Sequence, residues 1–499
     1  MNKILKMKKL MFFATLGLFF FVCNSSYSQE IKRLTFEEVI RIAEEQSPNA
    51  LMAKHRFRAS YWQYRTYVAQ YRPSLTLTGT TPDYSTAYSR VWNSVLEQWD
   101  YQATNVLQNL ASLSLSQNIG LTGGSISLES DLTLENDFER DTRKYITAPV
   151  SIRLVQPIFR YNALRWEKKI EPLKYDAARK TFLSNIESVH QQAVMNFFML
   201  AQAQINQQIA EMNFSNADTL YRIAQGRYDL GTIAEDELLQ MQLSWLNTET
   251  ARKEAGMNLR DREIRLRSFL GFNENVRIEL ILPDRVPDLQ VDPAEVLELA
   301  MTNNPEILQQ QLMLLTAQSN VAQAKAEKGL NANLIASFGM RDQDPDFALA
   351  YKDVNQQQTI RVGFIMPILD WGLGRGRYRM AQSSLELAQV QSQQALVDFE
   401  QNLLLDVEQF NLQANQVAIA AKSDTVAMKM YEVTKQRFLI GKISVLELNN
   451  ADTKKDQNRR AYVMALQNYW NYFYNLRNLA LYDFIGRKPL ETEFEKLLD

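Results

Sequence analysis

The chain has 499 residues, with 55 basic and 57 acidic side chains, one cysteine and two histidines. The balance of charge excludes a nucleic-acid-binding protein that depends on a basic surface. The scarcity of cysteine and histidine excludes cysteine-based zinc sites and histidine-rich metal chemistry. Glycine and proline supply only 30 of 499 residues, about half their average share. We therefore expect few connections and long elements rather than the three ordinary domains that the length suggests.

The first 28 residues have the pattern of a secretory signal peptide. Four lysines in the first nine residues precede an apolar run from Leu10 to Val22, and Ser26 and Ser28 supply small residues before a cleavage site. We expect cleavage after Ser28, and a lipoprotein signal ending at Cys23 is the alternative. Cleavage leaves 51 basic and 57 acidic residues. No later segment is an uninterrupted apolar stretch of 18 residues, so any membrane crossing is predicted to use β-strands.

The two halves of the chain resemble each other. Leu34–Asn49 resembles the segment 257 residues later, whereas Gln156–Phe159 and Arg227–Gly231 match segments 210 residues later. The first half therefore carries 47 extra residues between Pro73 and Pro157. We predict one elongated protomer over residues 29–499, made of a first repeat (29–290) with an inserted segment at about 80–146, a second repeat (291–490) and a tail (491–499).

Each repeat predicts the same elements in the same order. A short helix begins after Thr35 or Asp292, which are good N-caps, and Glu38 completes a capping box with Thr35. A second helix follows, to about Tyr71 or Lys328. Two alternating apolar segments come next, and the second of them ends at a proline in both repeats.

Very long helices are predicted over about 163–228 and 375–438, each roughly 100 Å long. Apolar residues of the second of these recur with a mean spacing of 3.5, at Leu396, Phe399, Leu403, Val407, Phe410, Ala414 and Val417. This spacing is typical of a coiled-coil seam. Gly231 and Gly441 then break the chain, and a fourth helix returns to about Leu270 or Asp483.

Two other sequence features receive structural interpretations. Gly372, Gly374 and Gly376 follow a strand, but their spacing differs from that of phosphate-binding loops, and a strand-to-helix linker is expected. His55 and His190 are expected on helix surfaces, without a ligand partner. No spaced pair of carboxylates is placed in a cleft, so we expect no enzymatic activity, metal or cofactor.

These features together resemble the TolC family of outer-membrane efflux proteins. The most specific matches are the two strand ends Gln156–Phe159 and Met366–Leu369, and the two tip motifs Arg227–Thr232 and Arg437–Lys442. The resemblance implies a mainly α fold with a β-barrel part, in which each chain of a homotrimer gives four strands to one 12-stranded outer-membrane barrel. Long coiled-coil-like helices then form a periplasmic tunnel. A hairpin around Thr122–Gly124, in the inserted segment, either extends the barrel or lies outside it.

The resemblance also implies function and partners. The chain is expected to be the exit duct of a tripartite efflux system, passively exporting small molecules such as drugs and toxic compounds. The implied partners are a periplasmic adaptor, an inner-membrane transporter of the resistance–nodulation–division or ABC type, and outer-membrane lipid, with no nucleic acid. A duct for type I protein secretion is the alternative, and a secreted coiled-coil scaffold without a pore is a candidate of another class.

The helix tips carry the implied site residues. Glu447 takes the position of the family's first acidic pore ring, and the second ring position falls on Asn450, which departs from the family pattern. Glu237 is the equivalent of Glu447 in the first repeat, and Phe438 replaces a frequent gate tyrosine. The other interpretation of Glu447 is a solvated residue favoured by the helix dipole.

The tips are also the expected docking points of the adaptor. Gly231 and Thr232 in the first repeat, and Gly441 and Lys442 in the second, match the family's docking grooves. A glycine that ends a helix in the left-handed conformation is the structural interpretation of the same residues. The two interpretations are compatible, since an interlocking tip needs a sharp turn.

Overall fold

The computed structural model describes residues 31–93, 97–272, 276–283, 285–440, 442–443 and 445–498. The expected signal peptide with Cys23, and also Gly441, lie outside the described residues. Two compact units are present, and each combines segments of both halves of the chain. The helical unit comprises residues up to Met52, Asn185–Asp292 and Asp406–Arg477, and the sheet unit comprises Ala53–Ser184, Pro293–Leu405 and the chain from Asn478 onward.

The helices of the two halves match in order, and each pair matches in length to within one residue. The first half contains α1 (Phe36–Gln46), α2 (Pro48–Ala69), α3 (Ala163–Asp229) and α4 (Glu235–Leu270). The second half contains α5 (Pro293–Asn303), α6 (Pro305–Glu327), α7 (Leu373–Leu439) and α8 (Val445–Ala480). Both α3 and α7 have 67 residues, and both α4 and α8 have 36. None of the helices in the described part of the chain is both long and apolar enough to cross a membrane.

Local sequence signals explain where these helices begin and end. The Thr35 side chain accepts a hydrogen bond from the Glu38 backbone amide while the Glu38 carboxylate accepts one from the Thr35 amide, which confirms the capping box. Gly271 ends α4 with a φ of 75°, a left-handed conformation that glycine adopts without strain. The predicted seam of α7 is also confirmed at five of its seven positions, since the buried residues include Phe399, Leu403, Val407, Phe410 and Val417.

Most strands belong to one antiparallel sheet in the sheet unit. Its six strands, in the order β2-β3-β4-β5-β7-β8, are β2 (Ser74–Asn93), β3 (Gln98–Ile119), β4 (Gly124–Asp137), β5 (Thr142–Ile158), β7 (Asn331–Asp344) and β8 (Asn355–Ile365). In the helical unit, β1 (Ile31–Thr35) pairs in parallel with β6 (Arg277–Ile281). Two-residue strands β9 (Tyr482–Asp483) and β10 (Lys488–Pro489) form a small pair of their own.

The strand number differs from the expectation drawn from the family. The resemblance implied four strands from this chain, and the main sheet has six. The two additional strands are β3 and β4, the predicted hairpin, whose ladder runs without a break from Val106–Asp137 to Ile119–Gly124. The hairpin is thus confirmed and forms the interior of the sheet, because β3 pairs with β2 on one side and β4 pairs with β5 on the other.

The two faces of the sheet have opposite chemistry. Cross-strand registers place apolar side chains on one face of every strand, namely Leu75, Leu77, Leu113, Leu115, Ile126, Leu128, Ile152, Leu154, Leu334, Phe338, Ile360, Val362 and Phe364. The other face carries Ser112, Ser114, Ser127, Glu129, Asp131, Arg153, Ser337, Thr359 and Arg361. Leu113 and Leu115 are 43% and 41% exposed, whereas Ser112 and Ser114 are half-buried. The apolar face is therefore the more exposed one, the reverse of a soluble sheet.

Aromatic side chains form the core of the helical unit. Phe36 of α1 lies 5.3 Å from Phe197 of α3 and 4.7 Å from Trp470 of α8, measured between ring centroids. Tyr469 is fully buried, and its hydroxyl donates a 2.7 Å hydrogen bond to the Pro287 carbonyl. Trp470 and Tyr469 of α8 thus pack against other segments of the helical unit.

Candidate functional site at the helix tips

The first tip lies between α3 and α4 and is closed by backbone bonds. The Thr232 amide donates to the Arg227 carbonyl at 2.9 Å, and the Thr232 hydroxyl donates to the same oxygen at 2.8 Å. Gly231 adopts a φ of 69°, the left-handed conformation expected of a glycine that ends a helix. Gly231 and Thr232 are both exposed, so this turn is accessible on the surface of the helical unit.

The second tip repeats one feature of the first. The Lys442 amide donates to the Arg437 carbonyl at 3.0 Å, the counterpart of the bond between Thr232 and Arg227. Lys442 is exposed, and α8 begins at Val445. In both halves, therefore, the amide of one residue donates a hydrogen bond to the carbonyl of the residue five positions earlier.

The predicted acidic positions lie at the starts of the returning helices. Glu447 is exposed in the first turn of α8, and Asn450 is exposed about one turn later. Glu237 is exposed in the first turn of α4, together with Glu235 and Asp236. Carboxylates are favourable there, because the helix N-terminus carries partial positive charge. The single chain thus presents these side chains on its surface.

Phe438 has a different environment from the acidic positions. It packs against a buried cluster formed by Tyr431 of α7 and by Leu448 and Ala451 of α8. Phe438 therefore makes an apolar contact between α7 and α8.

A buried lysine lies beside that cluster, and our sequence analysis did not single it out. Lys455 of α8 is 3% exposed, and its Nζ lies 2.5 Å from Asp452 Oδ1 and 3.3 Å from Asp456 Oδ1. The same ammonium lies 4.1 Å from the centroid of the Tyr431 ring, within cation–π range. Two carboxylates and one ring thus surround a single positive charge between α7 and α8.

Electrostatics keep this lysine charged. Burial by itself lowers the pKa of Lys455, but Asp452 and Asp456 outweigh burial and hold that pKa above its ordinary value. The pKa of Tyr431 is raised, first by burial and then by the nearby Asp452. At neutral pH the cluster therefore contains an ammonium and a neutral phenol.

Further polar contacts extend the cluster to α3. The Asn213 amide donates to Asp456 Oδ2 at 3.0 Å, and the Asn216 amide donates to the Tyr431 hydroxyl at 3.4 Å. One signal in the sequence was available, namely the spacing of three residues between Asp452 and Lys455, which places them on one helix face. Nothing in that spacing indicates burial, so the contacts with α3 and α7 required the structure.

A second buried ionic cluster lies elsewhere in the helical unit. Arg477 makes a bidentate pair with Glu187, at 3.0 Å from Nε and 2.8 Å from Nη2. His190 lies 3.2 Å from Glu187 Oε1 and 3.2 Å from Glu44 Oε2. The expectation of a helix-surface position for His190 is wrong, since the residue is 5% exposed. Its carboxylate partners replace water and make burial possible.

These partners also set the charge of His190. Burial lowers the pKa of the imidazole, but hydrogen bonds from its nitrogens to Glu187 and Glu44 outweigh burial and raise the pKa to about 8. Glu44 is held below its usual pKa, first by its hydrogen bond with His190. The imidazole is therefore mostly protonated at pH 7. Among the described residues no group of histidine, cysteine or acidic side chains is arranged to hold a metal ion.

The polar face of the sheet carries a separate set of charges. The Arg153 guanidinium lies 3.1 Å from Glu129 across β4 and β5, and the Ser112 hydroxyl donates to Asp131. Next to these pairs is an open cavity of about 300 Å³, whose lining includes Arg341. This face offers water and polar solutes both signs of charge.

A comparison with known protein families and a comparison with solved structures agree with this architecture. The sequence profile of the family described as outer membrane efflux protein matches residues 39–272 and 296–480, which is more than half of the chain. None of the curated proteins gives a significant match.

Solved structures with a similar fold include three bacterial membrane proteins. The CmeC outer membrane channel of Campylobacter jejuni has a TM-score of 0.67 at 15% identity and covers 93% of this chain and 90% of its own. A membrane protein from Pseudomonas aeruginosa has a TM-score of 0.63 at 11% identity, with coverages of 89% and 90%. The outer membrane protein VceC of Vibrio cholerae has a TM-score of 0.59 at 14% identity, with coverages of 91% and 97%. At these identities the likeness establishes the fold alone.

Proposed function

Because the chain belongs to the outer membrane efflux protein family of tripartite pumps, we propose that three copies form an exit duct through which small molecules leave the cell passively. The protein is located in the outer membrane and extends into the periplasm. Drugs and other toxic compounds are the proposed substrates, and a homotrimer with a periplasmic adaptor and an inner-membrane transporter is the proposed assembly.

The observation that carries this proposal is the reversed sheet. Thirteen apolar side chains line its more exposed face, whereas serines and ion pairs line the other. A lipid-exposed wall requires the first chemistry and an aqueous lumen requires the second. A soluble scaffold has no use for either arrangement, since its exposed apolar face would promote aggregation.

The edges of the sheet support oligomerisation. Within the described residues β2 pairs only with β3, and β8 pairs only with β7. Open edges in lipid leave backbone amides and carbonyls without partners, at several kcal/mol for each group. Copies of the chain that pair edge to edge remove this cost, so the membrane itself favours a closed assembly.

The helix tips supply the proposed gate. Exposed Glu447, repeated around a threefold axis, forms one acidic ring that favours cations, and Asn450 forms a neutral polar ring beside it. Glu237 is the matching carboxylate of the first half, and Phe438 stabilises the α7–α8 pair through its apolar contacts. We propose that the buried Lys455 cluster holds this pair together while the gate is closed.

The tip turns supply the proposed docking surface for the adaptor. Gly231, Thr232 and Lys442 are exposed, and equivalent backbone bonds close the two turns. These equivalent bonds suit an adaptor that meets both turns in the same way, and the proposal extends to Gly441 by its sequence match to Gly231 alone.

Planar bilayer recordings of the purified protein test the duct. We expect stepwise conductance from a detergent-stable trimer, with cation selectivity in asymmetric salt. Protein that neither inserts nor conducts would overturn the duct and favour a scaffold. Restored drug resistance in an efflux-deficient host that also carries the adaptor and pump supports small-molecule export. Restored secretion of a protein without resistance assigns the duct to type I secretion instead.

A further inference from the structure

The number of strands in the sheet changes the expected barrel. The first half of the chain supplies four strands, β2 to β5, and the second half supplies two, β7 and β8. Resting on the proposed trimer, we propose that three copies close an 18-stranded barrel in which β2 of one copy pairs with β8 of the next. The partner at each edge is thus a second copy of this chain.

Hydrogen bonds fix the turn of the β3–β4 hairpin at the same end of the sheet as the start of β2 and the end of β5. Its turn lies at the end of the sheet where α2 enters β2, and the Asn118 amide donates to the Gln70 carbonyl at 3.0 Å. The Gln117 amide donates to the Tyr71 carbonyl at 2.8 Å, and the Asn162 amide donates to the Gly120 carbonyl at 3.2 Å. The turn is therefore tied both to the chain that enters β2 and to the chain that leaves β5.

The apolar band continues through the hairpin. Leu115 of β3 is paired with Leu75 of β2 and with Leu128 of β4. Leu128 is in turn paired with Ile152 of β5, which is paired with Phe338 of β7. One row of apolar side chains thus crosses five strands on the exposed face. If the hairpin lay outside the barrel, its part of this row would face water rather than lipid.

The two free edges are complementary in direction, and both strands, with 20 residues in β2 and 11 in β8, are long enough to cross a membrane. In an antiparallel sheet of six strands, β2 leads away from the helix side and β8 leads back toward it, so adjacent copies meet in antiparallel pairing. β8 has 11 residues, and a membrane-spanning strand needs about 9–11. The apolar band reaches both edges, through Leu77 of β2 and Val362 of β8, which are 73% and 61% exposed.

An 18-stranded barrel has a functional consequence. Barrel diameter grows roughly linearly with strand number, so 18 strands give a lumen about 1.5 times as wide as 12 strands give. Barrels of 16–18 strands leave an aqueous channel. The outer-membrane part then does not limit the size of the solute, and selection by size lies at the helix tips.

Disulfide cross-linking between copies tests the pairing on a clean background, since the only cysteine of the chain is Cys23, outside the described residues. Thr76→Cys on β2 is combined in turn with Gln357→Cys, Thr359→Cys and Arg361→Cys on β8. All four positions lie on the polar face. Neighbouring strands bring Cα atoms to about 4.5–5.5 Å, within disulfide range. We expect copper–phenanthroline to give covalent trimers from at least one combination.

A matched set of variants tests whether β2 or β4 is the strand that meets β8 of the next copy. Ser127→Cys on β4 is combined with the same three β8 positions. It places the cysteine on the same polar face but in a strand that pairs with β3 and β5, inside the proposed sheet. We expect no covalent trimers from this set. Trimers from Ser127→Cys but not from Thr76→Cys would overturn the proposal and place β2 and β3 outside a 12-stranded barrel. A conducting trimer with neither cross-link also overturns it but leaves the duct intact, whereas loss of both trimer and conductance counts against the proposed function itself.

Discussion

The two long helix pairs, α3–α4 and α7–α8, have the same lengths but different contacts. Tyr221 of α3 and Tyr431 of α7 are matched across the 210-residue offset, as are Trp245 of α4 and Lys455 of α8. In the first pair the Tyr221 and Trp245 rings stack at 5.9 Å. In the second the Lys455 ammonium lies 4.1 Å from the Tyr431 ring.

Phe214 and Asp424, which are also matched across the 210-residue offset, differ in their contacts in the same way. Phe214 of α3 lies under the Arg252 guanidinium at 4.2 Å, whereas Asp424, its counterpart on α7, pairs with Arg459 at 3.0 Å. Aromatic contacts thus dominate at these positions of the first helix pair, and charged side chains dominate at those of the second. Apolar contacts weaken gradually as surfaces separate, but a buried charge that loses its partner costs several kcal/mol at once. Ionic contacts of this kind favour two distinct arrangements of α7 and α8, one with the ion pairs formed and one with them broken, over a continuous range between the two.

The largest expected effect comes from removing the buried ammonium. Lys455→Met leaves Asp452 and Asp456 without their cation, and we expect a loss of about 3–5 kcal/mol in the free energy of unfolding. Trp245→Met at the matched position should cost about 1–2 kcal/mol, since Trp245 is only half-buried. Urea denaturation followed by circular dichroism measures both, and Lys455→Arg is the charge-preserving control. Equal losses at the two positions would contradict the contrast between ions and rings.

The next effect concerns His190, whose two carboxylate partners, Glu44 and Glu187, both lie in the first half of the chain. At the same offsets, Glu44, Glu187 and His190 correspond to Met301, Val397 and Glu400, so the second half lacks this arrangement. The pKa of His190 is raised from 6.5 to about 8 in the folded protein. The stability it contributes is fully present below about pH 6.5 and is lost as the pH rises through about 8.

The size of this pH effect is about 2 kcal/mol. We expect the free energy of unfolding to fall by that amount between pH 6 and 9, and His190→Gln to abolish that part of the fall. The chain has two histidines, so His55→Gln leaves one imidazole whose NMR titration gives the pKa directly. A midpoint at or below 6.5 would show that the carboxylates do not outweigh burial.

A smaller effect is expected at the acidic tip positions. Glu447→Ala should reduce the ratio of cation to anion permeability by roughly twofold, the size expected for an exposed carboxylate worth about 0.5 kcal/mol. Glu237→Ala should change it less, because Glu235 and Asp236 remain beside it. Reversal potentials in asymmetric potassium chloride measure both variants. Unchanged potentials for Glu447→Ala would remove this residue from the proposed pore ring.

The smallest effect tests the matched tyrosines. Tyr431→Phe keeps the ring under Lys455 and removes only the hydroxyl that accepts a long 3.4 Å bond from Asn216. We expect a loss of about 0.5 kcal/mol. Tyr221→Phe should cost less, since its ring stacking is retained. A loss above about 2 kcal/mol for Tyr431→Phe would assign the hydroxyl, rather than the ammonium, the main role in the cluster.

The predictions from sequence differ in quality between the helices and the site. Helix bounds came out within about three residues, because periodicity, capping residues and glycine breaks are local signals. Tip residues such as Gly231 were located by repetition and resemblance. His190 and Lys455 were misjudged or missed, because a charged residue on a polar helix gives no local sign of burial.

The sequence by itself determined the duplicated helices, the turns between them and the alternation of apolar and polar residues in the strands. Each of these depends on residues that are neighbours along the chain. Only the tertiary structure decided that the inserted hairpin joins the sheet, and that Glu187 meets Arg477 across 290 residues. Such pairings bring distant segments together, and their free energy depends on desolvation and geometry, which exist only in the folded chain.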